Sequence, residues 1–211
     1  MNKAEDEDRG QTAKRGRPGI SAIKKHQMRR KIALSAQQLF QTEGYSQVSM
    51  RRIASDIGCS PMSLYNYYDS KIDLLRTLWA DVFEDVFEVL AGVQGSDLES
   101  SEKLNLLALA YVGYWLDHTE HYRLVFMAEG VTQPEVSTFL EHPEIVARYQ
   151  IFAAAIVEVT GAIPDEQLKH KLDGFICFLH GIAHSLITIS GYEWSSPTSL
   201  VDCALHGVLK A

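Results

Sequence analysis

Ser49-Met50-Arg51-Arg52-Ile53-Ala54-Ser55-Asp56-Ile57-Gly58-Cys59-Ser60-Pro61-Met62-Ser63-Leu64-Tyr65-Asn66-Tyr67-Tyr68-Asp69-Ser70-Lys71 sets three helix starts and one sharp helix stop close together. Ser49 supplies a hydroxyl to cap orphan backbone N–H groups, and Met50, Ile53, Ala54 and Ile57 then recur at helical spacing. Gly58 tolerates the left-handed conformation that ends a helix. Ser60 followed by Pro61 is a cap with proline in the first helical position, where its missing N–H costs nothing. Leu64 and Tyr68 give this second, short helix an inward face. Ser70 with Asp73 repeats the cap-and-acid pattern and opens a third. Ala54, Gly58 and Leu64 stand where a helix-turn-helix needs a small crossing residue, a turn residue and an apolar plug.

Upstream, Ile32, Ala36, Leu39 and Phe40 predict a helix from Arg29 to the stop at Gly44. Residues 1–28 lack apolar periodicity and read as a flexible basic arm. Downstream, Leu74, Leu75, Leu78, Val82 and Val86 predict a long helix after Ser70. Further helices are expected at about 101–117, 119–129, 142–160, 165–190 and 196–209, separated by Gly, Pro and Ser/Asp clusters. No strand or hairpin pattern is present. The expected fold is all-α: a three-helix helix-turn-helix head at 29–75 on a helical-bundle body at 76–211.

Charge is divided unevenly along the 211 residues, whose formal net charge is -7. Residues 9–71 hold twelve Lys/Arg against Glu43, Asp56 and Asp69, a net of +9, whereas residues 72–211 come to -13. A basic head on an acidic body directs polyanions to one end of the molecule. No apolar run approaches the ~20 residues that span a bilayer, and the first thirty residues are charged, which makes the cytoplasm the expected location. Cys59, Cys177 and Cys203 are odd in number and widely spaced, and read as reduced thiols.

The segment from Ser49 to Leu75 closely resembles the DNA-binding region of the TetR family. The resemblance is carried by Leu64-Tyr65-Asn66-Tyr67-Tyr68-Asp69-Ser70-Lys71 with Leu74 and Leu75; it is strong over about 45 residues and extends to the rest only in layout. It implies a homodimeric, sequence-specific, ligand-responsive DNA-binding regulator, most simply a repressor on a palindromic operator. Tyr65 and Tyr67 lie off the Leu64/Tyr68 face, and the resemblance implies that their hydroxyls donate to phosphates; partly exposed core aromatics are the other reading. Met62 and Ser63 fall in the first turn of the recognition helix, which meets base edges. Arg51 matches a family position that reaches a base, and its fork suits guanine. Arg52 reads as a phosphate contact or a solvated charge. Lys71 opposes the macrodipole of its helix, a conflict that a bound phosphate would resolve. Arg15 and Arg17, within Lys14-Arg15-Gly16-Arg17-Pro18, resemble an AT-hook core suited to a narrow minor groove. A basic arm also serves as a nonspecific anchor, and a nonspecific architectural DNA binder is the competing function.

In relatives, helices such as Tyr111 to Met127 line an effector cavity. By that resemblance Tyr111, Tyr114, Trp115, His118, Tyr122, Phe126 and Met127 are the ligand-binding candidates, for an effector that is hydrophobic or aromatic; core packing explains the same aromatics. Phe178-Leu179-His180-Gly181 looks like the Trp-His-Gly stretch of one subgroup, with Trp replaced. The helices at 165–190 and 196–209 occupy the dimer positions of relatives, placing Ala183, Leu186, Ile187 and Ile189 against the partner or the core. Cys177, His180 and His184 share i, i+3, i+7 spacing that a soft metal could use, but packing or effector hydrogen bonds account for them better, and no metal or other cofactor is expected. No P-loop, GxGxxG, HExxH or GxSxG is present. Ser100 to Lys103 has SxxK spacing without its SDN and KTG partners, so no enzyme is expected.

Overall fold

The computed structural model describes residues 18–162 and 165–210, and among these every regular element is a helix. The head consists of α1 (Pro18–Glu43), α2 (Met50–Ile57), α3 (Pro61–Tyr65) and the first turns of α4 (Lys71–Gln94). The body continues with α5 (Ser100–Asp117), α6 (Thr119–Phe126), α7 (Gln133–Leu140), α8 (Pro143–Thr160), α9 (Glu166–Thr188) and α10 (Pro197–Lys210).

The predicted punctuation is present atom for atom. Ser49, Ser60 and Ser70 each accept from the backbone N–H three residues on, at 3.1 Å in all three cases. Gly58 ends α2 at φ 75°, and Gly44 turns the chain after α1 at φ 86°. Ile32, Ala36, Ile53, Ala54, Leu64, Leu74 and Leu75 meet in the head's interior with no exposed surface, so the plug and the crossing residue do what their positions require.

Three features differ from the sequence reading. Helix α1 starts at Pro18, well before Arg29, so residues 18–28 of the expected flexible arm are helical. Residues 22–27 (Ala, Ile, Lys, Lys, His, Gln) are exposed, and local propensity extends the helix there without a packing period to reveal it. The predicted 119–129 helix stops at Phe126, and α7, absent from the helices expected above, follows it. Its start is a capping box in which Glu135 accepts from both the backbone N–H and the hydroxyl of Thr132 at 2.8 Å.

Helix α5 is the hub of the body, touching α4, α6, α8, α9 and α10. Its Leu107, Ala108, Tyr111, Val112 and Trp115 are wholly buried, against Trp79 and Phe83 of α4, Phe152 and Ile156 of α8, and Phe175 and Leu179 of α9. Head and body share one apolar cluster, because α4 runs through both. Trp79 Nε1 donates to the Leu124 carbonyl at 2.9 Å, fastening α6 to that helix. No described helix is long and apolar enough to cross a membrane.

Candidate nucleic-acid interface

With Leu64 and Tyr68 turned inward, the opposite side of α3 is presented to solvent. Met62 is 75% exposed and Tyr65 48%, Asn66 is exposed, and Ser63 and Tyr67 are partly covered. Arg51 of α2 is also exposed. The outer face of the motif therefore carries one guanidinium, a thioether, hydroxyls and a carboxamide, groups suited to phosphate oxygens and base edges. Asn66, which caps the C-terminal end of α3, was not singled out from the sequence.

Four other head cations are committed within the fold. Arg52 bonds Glu43 of α1 at 2.7 Å and approaches Asp56 at 3.4 Å, so it braces α2 on α1 and is not simply a solvated charge. Lys71 donates to the carbonyls of Tyr45 at 2.7 Å and Val48 at 2.9 Å, and its ammonium lies 4.0 Å from the Tyr45 ring centroid. The unfavourable dipole at the start of α4 is thus offset by two carbonyls of the α1–α2 loop, where the sequence suggested a phosphate. Partial burial lowers the Lys71 pKa. Lys31 donates to the Ile57 carbonyl at 3.0 Å, at the negative end of α2. Arg29 donates to the Tyr67 carbonyl at 2.5 Å and sits over the Tyr68 ring, whose hydroxyl donates back to the Arg29 carbonyl at 3.2 Å. Arg29 and Lys31 were missed as structural cations, because their carbonyl partners are far away in sequence. Arg15 and Arg17 lie outside the described residues.

Inside the body, Tyr111, Trp115, Tyr122 and Phe126 do converge. Trp115 meets Phe126 and Tyr122 with ring centroids 5.3 and 5.7 Å apart, and Tyr111 meets Trp115 at 6.0 Å. Residues far away in sequence close the cluster: Phe83, Tyr149, Phe152 and His180. At its centre the Tyr111 hydroxyl bonds His180 Nε2 at 2.8 Å and the Tyr149 hydroxyl at 3.1 Å. Burial pushes the His180 pKa down to about 4 and the Tyr149 pKa up to about 12. Trp115 Nε1 is buried without a hydrogen-bond partner among the described residues.

The remaining ligand candidates lie elsewhere. Tyr114 reaches His121 Nδ1 at 2.9 Å, and His118 stacks on His121 with centroids 5.3 Å apart at the α5–α6 corner. Met127 lines a cleft of about 430 Å³ between Tyr45 and Ser46 of the head and Arg123 and Leu124 of α6. At the edge of this head–body contact a Cβ on Gly130 would come within 3.1 Å of the Ser46 Cβ. Cys177 is exposed, whereas His184 bonds the Tyr122 hydroxyl at 3.2 Å and His180 turns to Tyr111, so the three do not converge on a metal. Of the proposed dimer residues, Ala183 is fully buried, Leu186 and Ile187 are partly covered and Ile189 is 49% exposed.

Comparison with known proteins agrees with this anatomy. Residues 32–78 match the family model for bacterial regulatory proteins of the tetR family. The transcriptional activator FasR of Mycolicibacterium smegmatis, a helix-turn-helix protein, is 23% identical over 115 residues, a match covering 54% of this chain and 52% of FasR. The match thus spans about half the length of that curated relative. Among solved structures, the regulatory protein SCO4313 superposes with TM-score 0.70 at 20% identity, over 90% of this chain and 98% of that one. Mycobacterium smegmatis AmtR superposes with TM-score 0.52 at 25% identity, over 92% and 88%. The tetR-family match thus falls on the helix-turn-helix head, residues 32–78, and the fold of the whole chain is shared with solved regulators.

Proposed function

We propose that this chain is a sequence-specific DNA-binding repressor that acts as a homodimer, with residues 29–75 as the reader and residues 76–211 as the sensing and dimerising body. The observation that carries the reading is the division of labour across α3: Leu64 is fully buried while Met62 and Tyr65 stand out to solvent. A five-residue helix so anchored is a platform for base and phosphate contacts. Two such platforms would enter successive major grooves, with half-sites ~34 Å apart. Arg51, Met62 and Ser63 are assigned to base edges, and Tyr65 and Tyr67 to phosphates. Arg15 and Arg17 add attraction along the flanking DNA.

Dimerisation is assigned to α9 and α10. Phe178 is 53% exposed there, and beside it are the partly covered Gly174 and the exposed Gly207, where an added Cβ would meet nothing within 4 Å. Those gaps let a partner helix approach closely. The effector is assigned to the aromatic interior around Tyr111, Trp115, Tyr122, Phe126, Tyr149 and His180. Its apolar walls and central hydroxyl–imidazole group suit a hydrophobic or aromatic molecule with one hydrogen-bonding function. A structurally similar Clostridium perfringens protein is described as a fatty acid metabolism regulator, and an acyl chain fits the same chemistry. The chain acts by binding, without catalysis, in the cytoplasm.

The test is selection of bound duplexes from random DNA. A palindrome with two equal half-sites is expected, and equal affinity for scrambled duplexes would overturn the reading. Coupling of ~1–3 kcal/mol between effector and operator would change affinity ~5- to 150-fold.

A further inference from the structure

His118, Glu120 and His121 gather at the corner between α5 and α6. One ligating atom of each lies within 4.8 Å of the other two, a grouping found outside both the DNA-facing surface and the aromatic interior. We propose that this corner binds one divalent ion of the zinc, copper or nickel class, held by two imidazoles and one carboxylate with solvent completing the shell. Two nitrogens and one oxygen suit borderline ions; magnesium and calcium prefer all-oxygen sets.

Neighbouring contacts prepare the site. His121 Nδ1 is 2.9 Å from the Tyr114 hydroxyl, and that hydroxyl is 3.5 Å from the Val82 carbonyl of α4. Coordination through Nε2 requires the tautomer in which His121 Nδ1–H donates to the phenol oxygen and the Tyr114 proton turns to the Val82 carbonyl. That order puts the His121 lone pair on Nε2, the nitrogen left to bind the ion. A hydrogen bond on the far ring nitrogen is how histidine ligands are oriented at metal sites. The His118 imidazole is not used as a helix cap, although its residue occupies the N-cap position of α6. Its Nδ1 lies 3.8 Å from Glu120 Oε1. Glu120 supplies negative charge in the first turn of α6, offsetting the repulsion between a cation and the positive end of that helix. Asp85 of α4 adds further negative potential toward His121.

The full-length protein, stripped with chelator, is titrated with Zn²⁺ against a chromophoric chelator, and with Co²⁺ to read ligand-field bands. One tightly held ion per chain is expected, unaffected by millimolar Mg²⁺. His118→Ala/His121→Ala should abolish this binding and the Co²⁺ bands, with the helical circular dichroism unchanged. Glu120→Gln provides a milder second lesion, and Tyr114→Phe should weaken binding about tenfold through the lost orientation of His121. His206→Ala, an exposed histidine on α10, should leave the affinity unchanged. Equal affinity in the double alanine variant and the parent, or displacement of Zn²⁺ by Mg²⁺, would overturn the proposal. Neither outcome bears on DNA binding, which is measured separately.

Discussion

Acidification should destabilise this protein through His180, by an amount that can be worked out in advance. Its imidazole bonds the Tyr111 hydroxyl and packs edge-on against Phe126, and burial brings its pKa down to about 4. In the unfolded chain a histidine titrates near ~6.5. The unfolded state therefore takes up the proton first. Stability from neutral His180 is complete above ~6.5 and is lost as the pH falls toward the folded value. Integrating the linkage between those two pKa values gives a loss of about 2 kcal/mol from pH 7 to pH 5. The assay is urea unfolding of the parent and His180→Gln across that range, at fixed protein concentration, because the proposed dimer would make stability depend on it. Other groups titrate in both proteins: His121, whose pKa is also lowered by burial, adds a loss of the same sign. The difference between the two curves isolates His180. Parallel curves would refute the argument, because they would mean that the imidazole is as easily protonated inside the fold as outside it.

Lys71→Met removes two charge-assisted bonds to loop carbonyls and should cost about 1.5–3 kcal/mol in thermal or urea unfolding. An unchanged stability with a salt-dependence slope reduced by ~0.9 would instead place Lys71 on a phosphate. Arg51→Ala should cost ~1–3 kcal/mol of binding and relax preference at one base pair; a uniform loss on every sequence would remove it from base readout. Phe178→Glu should convert dimer to monomer in sedimentation velocity, and a persistent dimer would move the interface away from α9.

The head was legible in the sequence because its determinants are local. Ser49, Ser60 and Ser70 act three residues away, and Gly58 acts on its own φ. The roles of Lys71 and Arg29 were not legible, because their partners are carbonyls of distant residues and a carbonyl has no sequence signature. Upstream of Arg29 the reading relied on apolar period, and an exposed helix has none. The start of α7 was readable in Thr132-Gln-Pro-Glu135, a cap, a proline and an acid, but its eight residues lack any fully buried position to mark a face. In the body, the aromatic density of α5 and α6 pointed toward an interior. Only the fold could bring Phe83, Tyr149 and His180 from three other helices to close it.

Helix α3 is five residues long and fixes itself to the molecule chiefly through Leu64. The side chains it exposes, Met62, Tyr65 and Asn66, take almost no part in folding. Under the proposed DNA-reading role, substitutions there would alter sequence preference while the scaffold keeps its melting temperature. New binding preferences are therefore open to this lineage by single codon changes, with no compensating repair needed elsewhere in the chain.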